Sequence, residues 1–524
     1  MSKIPPSECP PFFLSSLSPR LIAGAFTFFG LSFATILPLA KADVTMPNIF
    51  SDHMVLQQKQ ENKVWGHADA GEQVTVDFAG QSHQTTADDD GNWSVMLDPV
   101  DASYDAYQLT VKGQNEIAFQ DVLVGEVWIC SGQSNMQWNV ASSNDFALEK
   151  LSANHPQIRM INFPQVGRQE PVWTHDRAQW QVCTPDSVGR FSAVGYFFGR
   201  QLHDTLDVPV GLINNAWGGS AAEAWVPRDV LASEGNYTGL LKRWEDMEGR
   251  YAELEAKGDQ RTEEEDKQLR GMGGQMGGNH RPGNIYNGVL SSHLGYGIQG
   301  AIWYQGESNA GRAYQYRDLF PLMIQTWRDQ WGEGDFPFYW VQLADFQAEK
   351  PEPGESEWAE LREAQTMTMD RLPNTGQAVI IDLGEGKDIH PRNKVDVGRR
   401  LARLALANDY GIEIPSQSPR FDSAEFQDGK AILTFKDVDG GWRPFDVNQP
   451  VGFEIAGDDH KFVWADAKII DGGKVEVSSD KVPNPVAVRY AWSNNPVCNM
   501  YDRADLPLTP FRTDDWDGVT KGRE

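Results

Sequence analysis

The chain is poor in three things, each of which would have pointed to a class of function. Only four of its 524 residues are cysteine, and Cys9 falls in an N-terminal stretch that reads as a leader. Cys130, Cys183 and Cys498 cannot all pair with one another, and their spacing has no zinc-site pattern. At most one disulfide fits, and a disulfide scaffold is excluded. Basic charge is scarce too: 46 Lys and Arg stand against 74 Asp and Glu, a formal charge of −28. So acidic a surface argues against nucleic acid, anionic membranes and polyanions as general partners. The third lack is of long apolar runs, since "LIAGAFTFFGLSFATILPLA" (21–40) is the only stretch long enough to span a bilayer.

That run has the layout of a secretory leader. Lys3 and Arg20 precede it, and Ala40 and Ala42 bracket Lys41 as an A-x-A cleavage site. Residues 1–42 are therefore expected to be a signal peptide, with a membrane anchor as the rival reading. The mature protein would be secreted or periplasmic and free of the membrane. Cleavage would remove Lys3, Arg20 and Lys41 but, among the acids, only Glu8, leaving 43 basic and 73 acidic side chains and a charge of −30.

What is present suffices for a large core: 40% hydrophobic residues and 18 tryptophans. The length predicts two or three modules. Residues 43–121 carry short alternating runs such as "QVTVDFAG" (73–80) and "GNWSVML" (91–97), the two-residue period of half-buried strands. A β-rich module is expected there. From 122 to 411 strand candidates (122–130, 157–163, 208–214, 299–304, 336–343, 377–382) alternate with helix candidates (193–204, 314–330, 358–371, 394–409). That alternation predicts an α/β fold with a mainly parallel sheet, whose sites gather at the carboxyl ends of strands. Residues 241–283 interrupt it, beginning as a charged helix and ending in a Gly/Met-rich polar loop. They read equally well as a surface insertion without a role and as an excursion or lid near the site. From 412 to 524 the β period returns in "AILTFKDV" (431–438), "KVEVS" (474–478) and "PVAVRYAW" (485–492), so a second β-rich module is expected.

One stretch raises a chemical question. "GEVWICSGQSNMQW" (125–138) is a strand running into a polar turn, with Ser134 as either a helix cap or a nucleophile. A nucleophilic serine needs a base, a group that orients the base, and oxyanion donors. "KDIHPRNK" supplies Asp388 and His390 two residues apart. In a helix that spacing throws the side chains about 200° apart; in an extended segment they share a side. Pro391 keeps His390 out of the α region, so the extended reading is allowed. The nucleophile elbow G-x-S-x-G of α/β-hydrolases does not fit, because Met136 takes the place of the second glycine. The ten histidines show no H-x-x-x-H zinc pattern, so neither metal nor other cofactor is expected.

Four blocks in order, "CSGQSNM", "WGGSAAEAW", "WYQGESNA" and "DIHPRNK", resemble those of SGNH-type (GDSL-like) hydrolases, and most closely the sialate O-acetylesterase family and its carbohydrate-acetylesterase relatives. "FPFYWVQLADF" (336–346), "LREAQ" (361–365) and "FRTDDW" (511–516) support the match. The resemblance implies an α/β/α three-layer catalytic domain flanked by sandwich-like β modules. It implies Ser134 as nucleophile, His390 as general base and Asp388 as orienting acid, in a spacing one residue shorter than the usual D-x-x-H. The implied oxyanion donors are the N–H of Ser134, Gly219 (with Gly218 as alternative) and Gln305, chosen over Asn309. Glu307 is a candidate hydrogen-bond partner behind the site or a buried structural acid, and Asn135 a candidate for stabilising the turn. Trp138, Trp217, Trp225 and Trp303 are candidates for stacking on a sugar, though tryptophans at strand ends more often fill cores. Arg312 could meet a sialate carboxylate or be a solvated loop residue. The expected reaction is release of acetate from an O-acetylated carbohydrate, sialic acid first and acetylated xylan or a similar polysaccharide as the alternative. A catalytically silent carbohydrate-binding protein on the same fold is the rival of another class, against which Ser134, Asp388 and His390 all speak.

Overall fold

The computed structural model describes residues 43–524, so the expected leader lies outside the described residues. A mixed α/β architecture is built on one parallel array. Its strands run in the order Thr375–Ala378, Phe338–Val341, Gly300–Tyr304, Glu116–Gly132, Val210–Asn214 and His155–Asn162, all parallel, with Gln181–Cys183 antiparallel at one edge. The sequence-based strand candidates match these within a few residues. Runs such as "VWIC" lack alternation because both faces are covered. Trp128 and Cys130 face the helix Ala193–Leu206, where the Trp128 and Phe198 rings lie 5.0 Å apart. Trp303 pairs in register with Ser131, one residue on, and so points the other way. There it meets Phe320 and Trp327 of the helix Ala313–Trp331.

The central strand Glu116–Gly132 is 17 residues long and changes character part-way. Residues 116–121 alternate exposed and half-buried; residues 122–132 are wholly buried. The composition shift expected at 121/122 is therefore seated inside one continuous strand, and no linker separates the two parts. Asp121 marks the spot with a left-handed φ of +56°. Its carboxylate is held by Arg159 at 2.6 and 3.1 Å and by His53 at 2.6 Å. Beyond it, Gln73–Phe78, Gln81–Thr86 and Ser103–Lys112 extend the same sheet antiparallel.

Residues 420–512 form two four-stranded sheets whose inner faces share a core containing Leu433, Phe453, Val475 and Tyr490. Val379 and Ile381, just past the last parallel strand, join that core. Cys130, Cys183 and Cys498 are all free thiols. Among the described residues no helix is long and apolar enough to cross a membrane.

The insertion differs from expectation. After the helix Thr238–Ala256, the Gly/Met-rich stretch is not a loop but a second helix, Glu263–Met276. Thr262 and Glu265 cap its start reciprocally, and four acidic residues fill its first turn. At its far end the Asn284 amide donates to the carbonyls of Met276 and Gly278. Caps at both ends offset the low helix propensity of its glycines.

Candidate active site

Three turns at the carboxyl ends of parallel strands meet around Ser134. The first follows Gly132. Its φ of +132° suits glycine alone, and a Cβ there would lie 2.2 Å from the Tyr304 carbonyl oxygen. The strand thus turns abruptly into the short helix Ser134–Gln137, leaving Ser134 half-buried at its first position. The cap position belongs to Gln133. The N–H of Ser134 is one of the unpaired donors every helix start leaves.

The second turn carries Asp388 and His390. His390 Nε2 lies 2.9 Å from Ser134 Oγ. The segment is not a strand: residues 385–388 close a tight turn, with the Asp388 N–H donating to the Glu385 carbonyl at 2.9 Å. Asp388 and His390 still share a side, but the carboxylate makes its short contact with the His390 backbone N–H, at 2.9 Å. Its distance to His390 Nδ1 is 3.5 Å, and its side chain is 52% exposed. The imidazole is instead backed by Trp138, whose ring stacks on it at 4.9 Å and 12°. Burial holds the His390 pKa below its ordinary 6.5; the Asp388 charge opposes this and Lys394 adds to it. The ring is therefore neutral near pH 7, as a base must be.

The third wall is the Trp217–Ser220 turn after the strand Val210–Asn214. The Trp217 N–H donates to the Gly132 carbonyl at 3.0 Å. A Cβ on Gly218 would stand 3.5 Å from Ser134 Cβ, so this backbone is packed against the serine. The Gly218 N–H is taken by Gln137 Oε1 at 2.7 Å. The Gly219 N–H has no acceptor among the described residues; its φ of +72° is again a glycine conformation. Gly219 is held through its carbonyl, which accepts from Ser308 Oγ at 3.0 Å and His280 Nε2 at 2.8 Å.

Gln305 does not face this space. It is fully buried, and its amide nitrogen donates to the Ser220 carbonyl at 3.1 Å and to Asn309 Oδ1 at 2.7 Å. Tyr316 donates to its oxygen at 2.9 Å. With two hydrogens and two acceptors, it has no donor left for an oxyanion. Asn309 is equally committed, donating to Glu223 Oε2 at 2.9 Å and accepting from Ala222 N–H at 3.0 Å. Arg312 closes the chain on Glu223 Oε1 at 2.6 Å. It is half-buried, and its other terminal nitrogen donates to Gln315 Oε1 at 3.0 Å.

Behind the serine lies a buried polar cluster. The Asn135 amide donates to Glu307 Oε1 at 2.7 Å and to the Ile389 carbonyl at 3.0 Å. Its oxygen accepts from Lys394 Nζ at 2.5 Å. Asn135 is therefore a tie between the serine turn and the histidine turn, not a cap. Burial raises the Glu307 pKa and pushes Lys394 down to about 7. Trp225 and Trp303 are fully buried and belong to the core, whereas Trp217 is half-buried. Trp138 and Lys394 each end a stretch the sequence singles out, "GEVWICSGQSNMQW" and "DIHPRNK", yet neither stretch tells that one backs the imidazole and the other completes the tie. The lysine's position at the start of an amphipathic helix (394–408), where a buried charge is rare, is a further signal.

One grouping among the described residues has metal-ligand proximity: ligand atoms of His155, His203 and Asp204 lie within 4.8 Å of one another. It sits where the strand His155–Asn162 begins, the opposite end of the sheet from Ser134.

A family model described as "Carbohydrate esterase, sialic acid-specific acetylesterase" matches residues 124–258 and 279–407. The chain belongs to that family. It is 28% identical to the sialate O-acetylesterase of Mus musculus, over 88% of this chain and 92% of the relative. It is also 28% identical to that of Homo sapiens, over 92% and 96%. A crystal structure of a carbohydrate acetylesterase from Xanthomonas citri superposes with a TM-score of 0.79 at 38% identity, covering 90% of this chain and all of that one. Family and fold thus make this protein a carboxylic ester hydrolase, and the rival of a silent binding module falls away. The family match resumes at 279 after a gap at 259–278, which holds the Gly/Met-rich helix.

Proposed function

We propose that this esterase removes acetyl groups from carbohydrates through an acyl-Ser134 intermediate. The single observation that carries the reading is the 2.9 Å contact between His390 Nε2 and Ser134 Oγ, made by an imidazole that burial keeps neutral. His390 takes the hydroxyl proton as Oγ attacks the ester carbonyl. The oxyanion is held by the N–H groups of Ser134 and Gly219, aimed before the substrate arrives. His390 then gives its proton to the departing sugar oxygen, and water, activated by the same ring, frees acetate. Asp388 steadies the histidine turn chiefly through the His390 backbone. Gln305 and Asn309 position the Gly219 turn. No metal or other cofactor enters these steps.

The fold implied is the SGNH three-layer arrangement at 122–411, flanked by β modules at 43–121 and 412–524. The leader reading of residues 1–42 makes the mature enzyme secreted or periplasmic; a mature N-terminus near Asp43 in the exported protein would support it, and retention of residues 21–40 would contradict it. Sialate O-acetyl esters are the substrate the family suggests. Acetylated neutral polysaccharide is the second reading, favoured by Arg312, whose guanidinium is committed to Glu223. The test is acetate release from 9-O-acetyl sialic acid, acetylated xylan and p-nitrophenyl acetate by native enzyme and Ser134→Ala. Loss on every substrate is expected; an unchanged rate on p-nitrophenyl acetate would show that Ser134 is not the nucleophile.

A further inference from the structure

The insertion builds a cavity beside the reaction centre. It measures about 380 Å³ and is lined by Trp244, Gly274, Gln275, Gly278, Asn279 and His280. That volume falls within the roughly 300–1,000 Å³ typical of small-molecule sites. Trp244, on the helix Thr238–Ala256, is half-buried against the core. Two other lining residues, Gly274 and Gly278, lack side chains, and a Cβ on Gly274 would touch nothing within 4 Å. A helix this rich in glycine gives up stability, and at Gly274 it leaves open space in the wall of the cavity.

Among the described residues, the polar lining carries no carboxylate, lysine or arginine, and the Gln275 side-chain amide, Asn279 Oδ1 and Trp244 Nε1 have no protein partner. Two of the lining residues also hold the reaction centre. Asn279 Nδ2 donates to the Gly218 carbonyl at 2.6 Å and His280 Nε2 to the Gly219 carbonyl at 2.8 Å. The cavity wall is therefore one hydrogen bond from the turn that packs against Ser134.

We propose that this cavity is a subsite for a neutral sugar ring of an oligosaccharide, stacked on Trp244 and hydrogen-bonded by Gln275 and Asn279, next to the unit that carries the acetyl group. An indole with uncharged amides around it suits the apolar face and hydroxyl rim of a neutral pyranose, and no lysine or arginine in the lining is there to pair with a carboxylate. Gly274, Gln275 and Gly278 fall in the stretch that the family match omits, whereas Trp244, Asn279 and His280 lie inside it; the insertion thus adds one wall to the cavity.

The inference rests on the esterase reading above, and the experiment separates the two. For native enzyme, Trp244→Ala and the cavity-filling Gly274→Leu, kcat/KM is measured on an O-acetylated xylotetraose, on a 9-O-acetyl sialoside and on p-nitrophenyl acetate. In both variants the ratio of xylotetraose to p-nitrophenyl acetate should fall about tenfold, as when an aromatic anchor is lost from a pocket, mainly through KM. An unchanged ratio in both overturns the subsite while leaving the esterase standing. An equal or greater fall with the sialoside overturns its assignment to a neutral ring. Failure of the acyl-Ser134 reading would show separately, as p-nitrophenyl acetate hydrolysis that survives Ser134→Ala.

Discussion

Two turns flank Ser134, and they are held in opposite ways. The Gly218–Gly219 turn rests on a hydrogen-bonded chain of Gln305, Asn309 and Glu223, all buried, with half-buried Arg312 at its end, joined by contacts of 2.6 to 2.9 Å. The Asp388–His390 turn has a half-exposed carboxylate 3.5 Å from the imidazole, and a tryptophan face behind the ring. The contrast matches what the proposed mechanism asks of each side. An oxyanion hole works only if its donors are already fixed where charge develops. A base needs its Nε2 within reach of the serine and the correct protonation state, and burial with stacking can supply both.

Three substitutions should separate the two sides, the oxyanion side being the more fragile. Asn309→Ala takes an acceptor from Gln305 and Ala222 and a donor from Glu223. Each buried group left unpaired costs about 1–3 kcal/mol, and a displaced Gly219 should lower kcat by ~10²-fold. Thermal melting together with kcat on p-nitrophenyl acetate reads both effects; a fall in melting temperature with full activity would detach this network from the reaction centre. Asp388→Asn should lower kcat/KM only about tenfold, against the ~10⁴-fold that follows loss of a tightly bonded triad aspartate. A ~10⁴-fold loss would mean that the carboxylate closes on Nδ1 during turnover. Trp138→Ala should cost less still, roughly two- to tenfold, the range of a lost ring stack.

The pH profile provides the smallest effect. In the proposed mechanism only neutral His390 accepts the serine proton, so kcat/KM should fall as pH drops through its pKa. Burial places that limb below about 6.5. Asp388 is the group that raises this pKa, so Asp388→Asn should move the limb to lower pH. A shift to higher pH would show that the carboxylate does not act on the imidazole in this way.

Much of the catalytic layer was legible in the sequence because its signals are local. Apolar runs of strand length, the amphipathic stripe of Val397, Leu401 and Leu404, and the glycine before Ser134 each declare themselves within a few residues. The Asp388–His390 spacing suggested an extended segment; the chain instead turns tightly at 385–388, which Pro391 permits equally well. The motif around Gln305 specifies a residue type but not the direction of its amide, which is set by Ser220, Asn309 and Tyr316. The Glu263–Met276 helix was hidden by its glycines, whose low propensity masked the Thr262/Glu265 cap. Lys394 and Trp138 act across more than 240 residues of chain, on Asn135 and His390, where no periodicity reaches.

The central claim is that Ser134, activated by His390, forms the covalent bond to the acyl group. It is tested most directly by labelling the native protein and His390→Ala with a fluorophosphonate, an acyl-ester mimic that bonds to activated serines, and locating the adduct by peptide mass spectrometry. One adduct is expected, on the peptide bearing Ser134, formed far more slowly in His390→Ala. An adduct on another residue, or equal labelling of the two proteins, would contradict it.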